Sequence, residues 1–176
     1  LKRGLGPAVG ASPLPLDKIV EAVPLMYDDR VFGLRSDVPE HWPAAGSAAA
    51  VITTSWITRE VEASSAFYTA VKVYDVDEEQ SSTAMGPCGW CSWDLPVSKA
   101  DTEALGKNRS LACACPCPSC PVKAMRIVKL ASSDAWKAVG GEGPPDDEWP
   151  LLVNGVGSPM TKQAMIVFFR ELCDLA

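Results

Sequence analysis

The stretch from Cys88 to Cys120 constrains this chain more than any other. It reads PCGWCSW at 87–93 and CACPCPSCP at 113–121, and it holds six of the seven cysteines. Cys88 and Cys91 form one C-x-x-C, Cys117 and Cys120 form a second, and 25 residues lie between the pairs. A C-x-x-C turn lets two thiolates converge on one ion, and two such pairs are the usual way to build a tetrahedral zinc site from four cysteines. Pro118 restricts φ inside the second pair, with Pro116 and Pro121 on either side, so less entropy is lost when the ligands are fixed. The spacing nominates Cys88, Cys91, Cys117 and Cys120 as metal ligands.

Cys113 and Cys115 are surplus to a single zinc site and stand as additional or alternative ligands. In an extended run residues 113, 115 and 117 point to one side, and three thiols along one edge suit an iron–sulfur cluster or a second metal. Two further chemistries draw on the same residues: disulfides in an oxidising compartment, and a redox-active C-x-x-C. Zinc, iron–sulfur and disulfides stay open on spacing alone, and disulfide pairing is not readable from it. An odd cysteine count leaves at least one thiol outside intramolecular pairing. Cys173, on the apolar side of a predicted helix, reads as that buried free thiol.

With 176 residues, 47% hydrophobic and 22% charged, the composition is globular and long enough to bury a core. The net charge of −6 argues against phosphate-backbone binding, so no nucleic-acid partner is expected. No apolar run approaches a membrane span. The only histidine is His41, between Glu40 and Trp42, and a surface or packing role is expected for it. The chain begins at Leu1 with no methionine. This reads as processing after removal of a targeting segment, for an organelle (plastid or mitochondrion) or for secretion.

Residues 1–47 read as an extended N-terminal arm, rich in Gly, Pro and turn signals after a short helical run at Leu16–Val23. Its apolar residues, Phe32 and Trp42 among them, need a groove, which points to other protein subunits as partners. Residues 48–176 read as one α/β domain containing the cysteine-rich segment 88–120. Val51, Ile52, Trp56, Ile57 and Val61 predict a strand over 48–62. Alternation at Phe67, Thr69, Val71 and Val73 predicts another over 66–76, joined to it as a hairpin through Ala63-Ser64-Ser65. The acidic residues Asp75, Asp77, Glu78 and Glu79 read as a solvated loop. A short helix at 99–105, a strand at 124–130, a helix from Ser132 or Ser133 to Val139 stopped by Gly140-Gly141, and a strand at 150–154 follow. Ser158 and Pro159 then open a terminal helix with Met165, Phe168, Phe169 and Leu172 on its apolar face.

That order resembles the thioredoxin-like fold. WPLLVNG and TKQAMIVFF, within 149–169, look like the end of the glutaredoxin or glutathione-transferase N-terminal domain. The resemblance covers about 66–176. It implies a small mixed sheet with flanking helices, a cis-proline at Pro150, and Cys88 and Cys91 as attacking and resolving thiols. The C-x-x-C lies farther from the preceding strand than in that family, and the family has no CACPCPSC insert. Trp90 and Trp93 around the pair, with Asp94 nearer than any lysine, fit a structural knuckle better than a reactive dithiol. The sequence thus points to a non-catalytic accessory subunit of a larger assembly, stapled by a cysteine-bound metal. An organellar energy-converting complex of photosynthesis or respiration is the expected host. A thiol–disulfide oxidoreductase of thioredoxin-like fold and a zinc-ribbon adaptor are the alternatives.

Overall fold

The middle strand of a three-stranded antiparallel sheet carries the first C-x-x-C. The computed structural model describes residues 39–56, 58–77, 88–95, 107–117 and 119–175. In chain order the elements are α1 (Gly46–Trp56), α2 (Glu60–Ser64), a 3-10 turn (Tyr68–Ala70), β1 (Val71–Asp75), β2 (Cys88–Leu95), β3 (Lys107–Ala112), α3 (Pro121–Ala138) and α4 (Lys162–Leu175). The sheet order is β1-β2-β3, with Val73 opposite Cys91 and Cys91 opposite Leu111. One face presents Val71, Val73, Cys91, Trp93 and Leu95, all buried. Helix α3 packs on that face and α1 packs against α3. The expected α/β class holds, with an antiparallel sheet rather than a mixed one.

Three segments adopt a different structure from the one their sequence suggests. Residues 46–56 form a helix, not a strand, and no hairpin joins them to β1. The run Ala48–Ala50 supplies strong helix formers ahead of the β-branched residues. Thr53 and Thr54 then turn their hydroxyls back to the carbonyls of Ala49 and Ala50, each at 2.8 Å. Because α1 is buried on nearly every side, its apolar residues show no helical stripe and pass for a strand.

Residues 124–130 also belong to a helix, α3, which continues through Ala138 and absorbs the helix expected at 133–139. Pro121 at its first turn costs no hydrogen bond, since that N–H would be unpaired in any case. Val122, Met125, Arg126, Lys129, Ser132 and Ser133 recur at helical spacing and are buried. Its end is where the glycines place it. Gly140, at φ 88°, donates to the Lys137 carbonyl, and Gly141 donates to that of Trp136, both at 3.0 Å. This is the paired 5→2 and 6→1 closure of a left-handed cap. Residues 150–154 pair only through isolated bridges, Phe67 with Pro150, Pro43 with Asn154 and Val153 with Pro159.

The terminal helix starts at Lys162, later than Ser158 and Pro159 suggest, and Thr161 Oγ1 accepts from the Ala164 N–H at 3.1 Å. Met165, Phe168 and Leu172 are buried, as its pattern predicts. Trp42 meets Phe168 edge to face at 5.2 Å, and its Nε1 donates to Glu171 Oε2 at 2.5 Å. His41 Nε2 sits 2.9 Å from the same carboxylate oxygen. Those contacts, with Trp42 first, hold the Glu171 carboxyl below its ordinary range.

The order of elements behind the thioredoxin-like resemblance is not the order observed. Cys88 and Cys91 lie within β2 rather than at a helix start, and 124–130 is helical. Among the described residues the cis peptide is Cys115–Pro116, not the bond before Pro150. The arm over 1–38, the helix expected at 99–105 and the acidic residues Glu78 and Glu79 lie outside the described residues. Asp77 donates its N–H to Asp75 Oδ1 at 3.0 Å, an ordinary turn contact. Among the described residues no helix is long and apolar enough to cross a membrane.

Candidate metal centre

The centre is built where β3 ends and α3 begins. Pairing with β2 continues one residue past β3, because the Cys113 N–H donates to the Gly89 carbonyl at 2.8 Å. The chain then reverses in two successive turns. Cys117 N–H donates to the Ala114 carbonyl at 2.9 Å, and Cys120 N–H donates to that of Cys117 at 3.0 Å. Cys120 arrives as the N-cap of α3, fully buried beside Val122 and Met125.

These turns bring Cys113, Cys115 and Cys120 together, with their sulfurs all within 4.8 Å of one another. The Cys113–Cys120 separation is 3.8 Å. A disulfide would bring two sulfurs to about 2.05 Å, and none of the described cysteines is so bonded. Sulfurs on a tetrahedral zinc ion, bound at about 2.3 Å, stand about 3.8 Å apart. The three thiols are placed to hold a metal ion. Two backbone amides point at the same sulfurs: Ala114 N–H donates to Cys120 Sγ at 3.4 Å and Cys115 N–H to Cys113 Sγ at 3.2 Å. Such donors disperse thiolate charge and orient ligands.

Of the four cysteines nominated by the C-x-x-C spacing, Cys120 is in this group. It is joined by Cys113 and Cys115, the additional or alternative ligands. Cys117 is exposed, outside the group, with Sγ 3.0 Å from Ser119 Oγ. The run 113–117 is not extended: the turn over Ala114–Cys117 breaks the alternation that would have aligned Cys117 with its neighbours. The Ser119 hydroxyl holds the Cys117 thiol below its ordinary range. The backbone of Cys88 pairs with Asp75 at the start of β2, and its thiol lies outside the described residues, as does that of Cys173.

Cys91 is fully buried in β2, its Sγ 3.9 Å from the Leu111 carbonyl. Burial pushes its thiol up to about 12, and the neighbouring Cys120 and Cys113 add to the rise while the Arg126 guanidinium opposes it. Arg126 is the residue that sequence reasoning missed. It is only 2% exposed, and its guanidinium acts on the Cys91 thiol. Read as one polar position in a strand, it gave no signal; helical spacing from Val122 would have placed it inward.

Gly89 shapes the other side of the centre. It is passed over between the pairs Tyr74–Trp90 and Asp75–Cys88, which makes a β-bulge. A Cβ there would stand 2.1 Å from the Asp75 carbonyl oxygen, a backbone atom with no room to yield. Gly89→Ala is therefore expected to destabilise the protein by about 1–3 kcal/mol. Because the Gly89 carbonyl holds Cys113, the same change is expected to weaken metal binding. Urea unfolding with zinc and with chelator reads both effects, and a variant equal to wild type in each would refute them.

Comparison with family models, with curated proteins and with solved structures finds no match to this chain.

Proposed function

We propose that this protein is a non-catalytic accessory component of a larger assembly, and that one zinc ion on Cys113, Cys115 and Cys120 staples its fold. The carrying observation is the convergence of these three thiols, from the end of β3, a turn and the start of α3, to within 4.8 Å. The 3.8 Å sulfur spacing favours a single ion. In a four-iron cluster each thiolate sits on its own iron, which spreads the sulfurs farther apart. Cys120 belongs to the main core with Val122, Met125 and Trp93. An ion there joins sheet to helix and lends rigidity, which suits a scaffold.

Elemental analysis of protein purified under reducing conditions is expected to give about one zinc per chain, the stoichiometry of a single tetrahedral site. A folded chain without zinc would overturn the staple. The accessory role is tested by fractionating native extracts of the source cells. The chain should migrate well above the mass its denatured form shows in the same extract, and migration as a free monomer would count against it.

A further inference from the structure

Three thiols leave one position of a tetrahedral ion to fill. Building on the staple reading, we propose that Cys91 is the fourth ligand, so that the ion ties the middle strand β2 to the end of β3 and the start of α3, and that Cys117 stays outside the coordination shell.

Strand register sets Cys91 beside this group, although its Sγ stands beyond 4.8 Å from at least one of the three sulfurs. Cys91 lies opposite Leu111, and Cys113 follows two residues later, opposite Gly89. Side chains two apart on a strand share a face, so Cys91 and Cys113 are diagonal neighbours on the covered face of the sheet. Helix α3 packs on that face and brings Cys120 down onto it. Cys91 and Cys120 are both fully buried in one core cluster, against which Cys113 packs. Cys117 is turned to solvent and bound to Ser119.

The charge balance agrees. A divalent ion with four thiolates carries two net negative charges, which a core tolerates only with compensation. Compensation is at hand on α3. Arg126 is buried near Cys91, and the N-terminus of this 18-residue helix starts directly after Cys120. The Ala114 and Cys115 amides take up further charge at the sulfurs. Each thiol loses its proton to solvent as its metal–sulfur bond forms, so no oxidant or reductant is needed.

Cobalt(II) in place of zinc reports the number of thiolates through its sulfur-to-metal charge-transfer band. Cys91→Ser is expected to lose about a quarter of that band, one ligand in four. Its zinc affinity should fall by about 100-fold or more, beyond the loss usual for outer-shell changes. Cys117→Ser and Cys88→Ser are expected to keep the wild-type spectrum. A wild-type spectrum and affinity in Cys91→Ser, or a lost thiolate in either of the other two, would overturn the assignment and leave the staple standing. A wild-type protein that binds neither metal would instead overturn the staple itself. Should Cys91→Ser fail to fold, zinc-edge X-ray absorption on wild type, Cys117→Ser and Cys88→Ser decides: four sulfurs in all three support Cys91, and three sulfurs with one lighter atom in wild type refute it.

Discussion

Cys120→Ser is expected to remove the metal and to lower the melting temperature by roughly 8–16 °C. An ion present at about 1,000 times its dissociation constant stabilises a fold by about 4 kcal/mol, and each kcal/mol is worth roughly 2–4 °C in a chain of this size. The substitution is well chosen because serine is among the best N-cap residues. Cys120 caps α3 without a side-chain hydrogen bond. A serine hydroxyl there costs the helix nothing and can improve its start, so lost stability cannot be put down to a broken cap. The informative comparison has four arms, wild type and variant, each with zinc and with chelator. Wild type should lose its metal increment on chelation. The variant should start near the chelated wild type and show no increment. Calorimetry with metal analysis reads both. A variant with full metal content and an unchanged melting temperature would remove Cys120 from the centre.

How much of this was legible beforehand depended on what each signal reports. Cysteine spacing reports that thiols are close in sequence and near a turn, and its window contains the three that converge. It does not report which way each thiol faces. The run CACPCPSC reads as extended, yet the Cys117 N–H closes a turn on Ala114 and swings its own thiol to solvent. Helix and strand were confused where apolar residues are consecutive. AMRIVKL is too short to display a period by itself, and only its continuation to Ala138 with Pro121 at the start reveals α3. The run AAAVITTSW carries β-branched residues that a strand would also use, and its near-total burial erases the stripe. The glycine stop did better, because it is local: Gly140-Gly141 ends α3 as the glycines suggest, whereas Ser132, Ser133 and Ser158 do not open helices. Phe168 and Leu172 are core because an exposed amphipathic helix shows its face openly. The thioredoxin-like resemblance leaned on the stretches where periodicity was weakest, and the described elements add nothing to it.

Lys129→Met is expected to cost about 1–3 kcal/mol, because it takes the ammonium donor from the buried Val71 carbonyl, while the Tyr68 carbonyl keeps the Val71 N–H. Lys129 sits on the same helix as Cys120 and is only 4% exposed. Its Nζ donates to the carbonyls of Tyr68 at 3.1 Å and Val71 at 2.6 Å, and lies 3.9 Å from the centre of the Tyr68 ring. It thereby pins the middle of α3 to the entry of β1, while the proposed ion pins the start of α3 to β2 and β3. Burial lowers the Lys129 ammonium from 10.5 to about 8, and burial also raises the hydroxyl of Tyr68, whose ring the ammonium overlies. Between about 8 and 10.5 the unfolded chain therefore holds a proton that the folded chain has released, and stability rises with pH through that window. Below about 8 both states are protonated and the full cost of burying the charge is present. The gain across the window is at most about 3 kcal/mol, since the two carbonyls favour the charged amine and draw its pKa back upward. Other groups titrate nearby, so the difference between wild type and Lys129→Met, both zinc-loaded, isolates the lysine. That difference should widen from pH 8 to pH 10 in urea unfolding. A gap that stays constant or narrows would mean that Lys129 keeps its charge at an ordinary pKa, and that its two carbonyl bonds offset the burial in full.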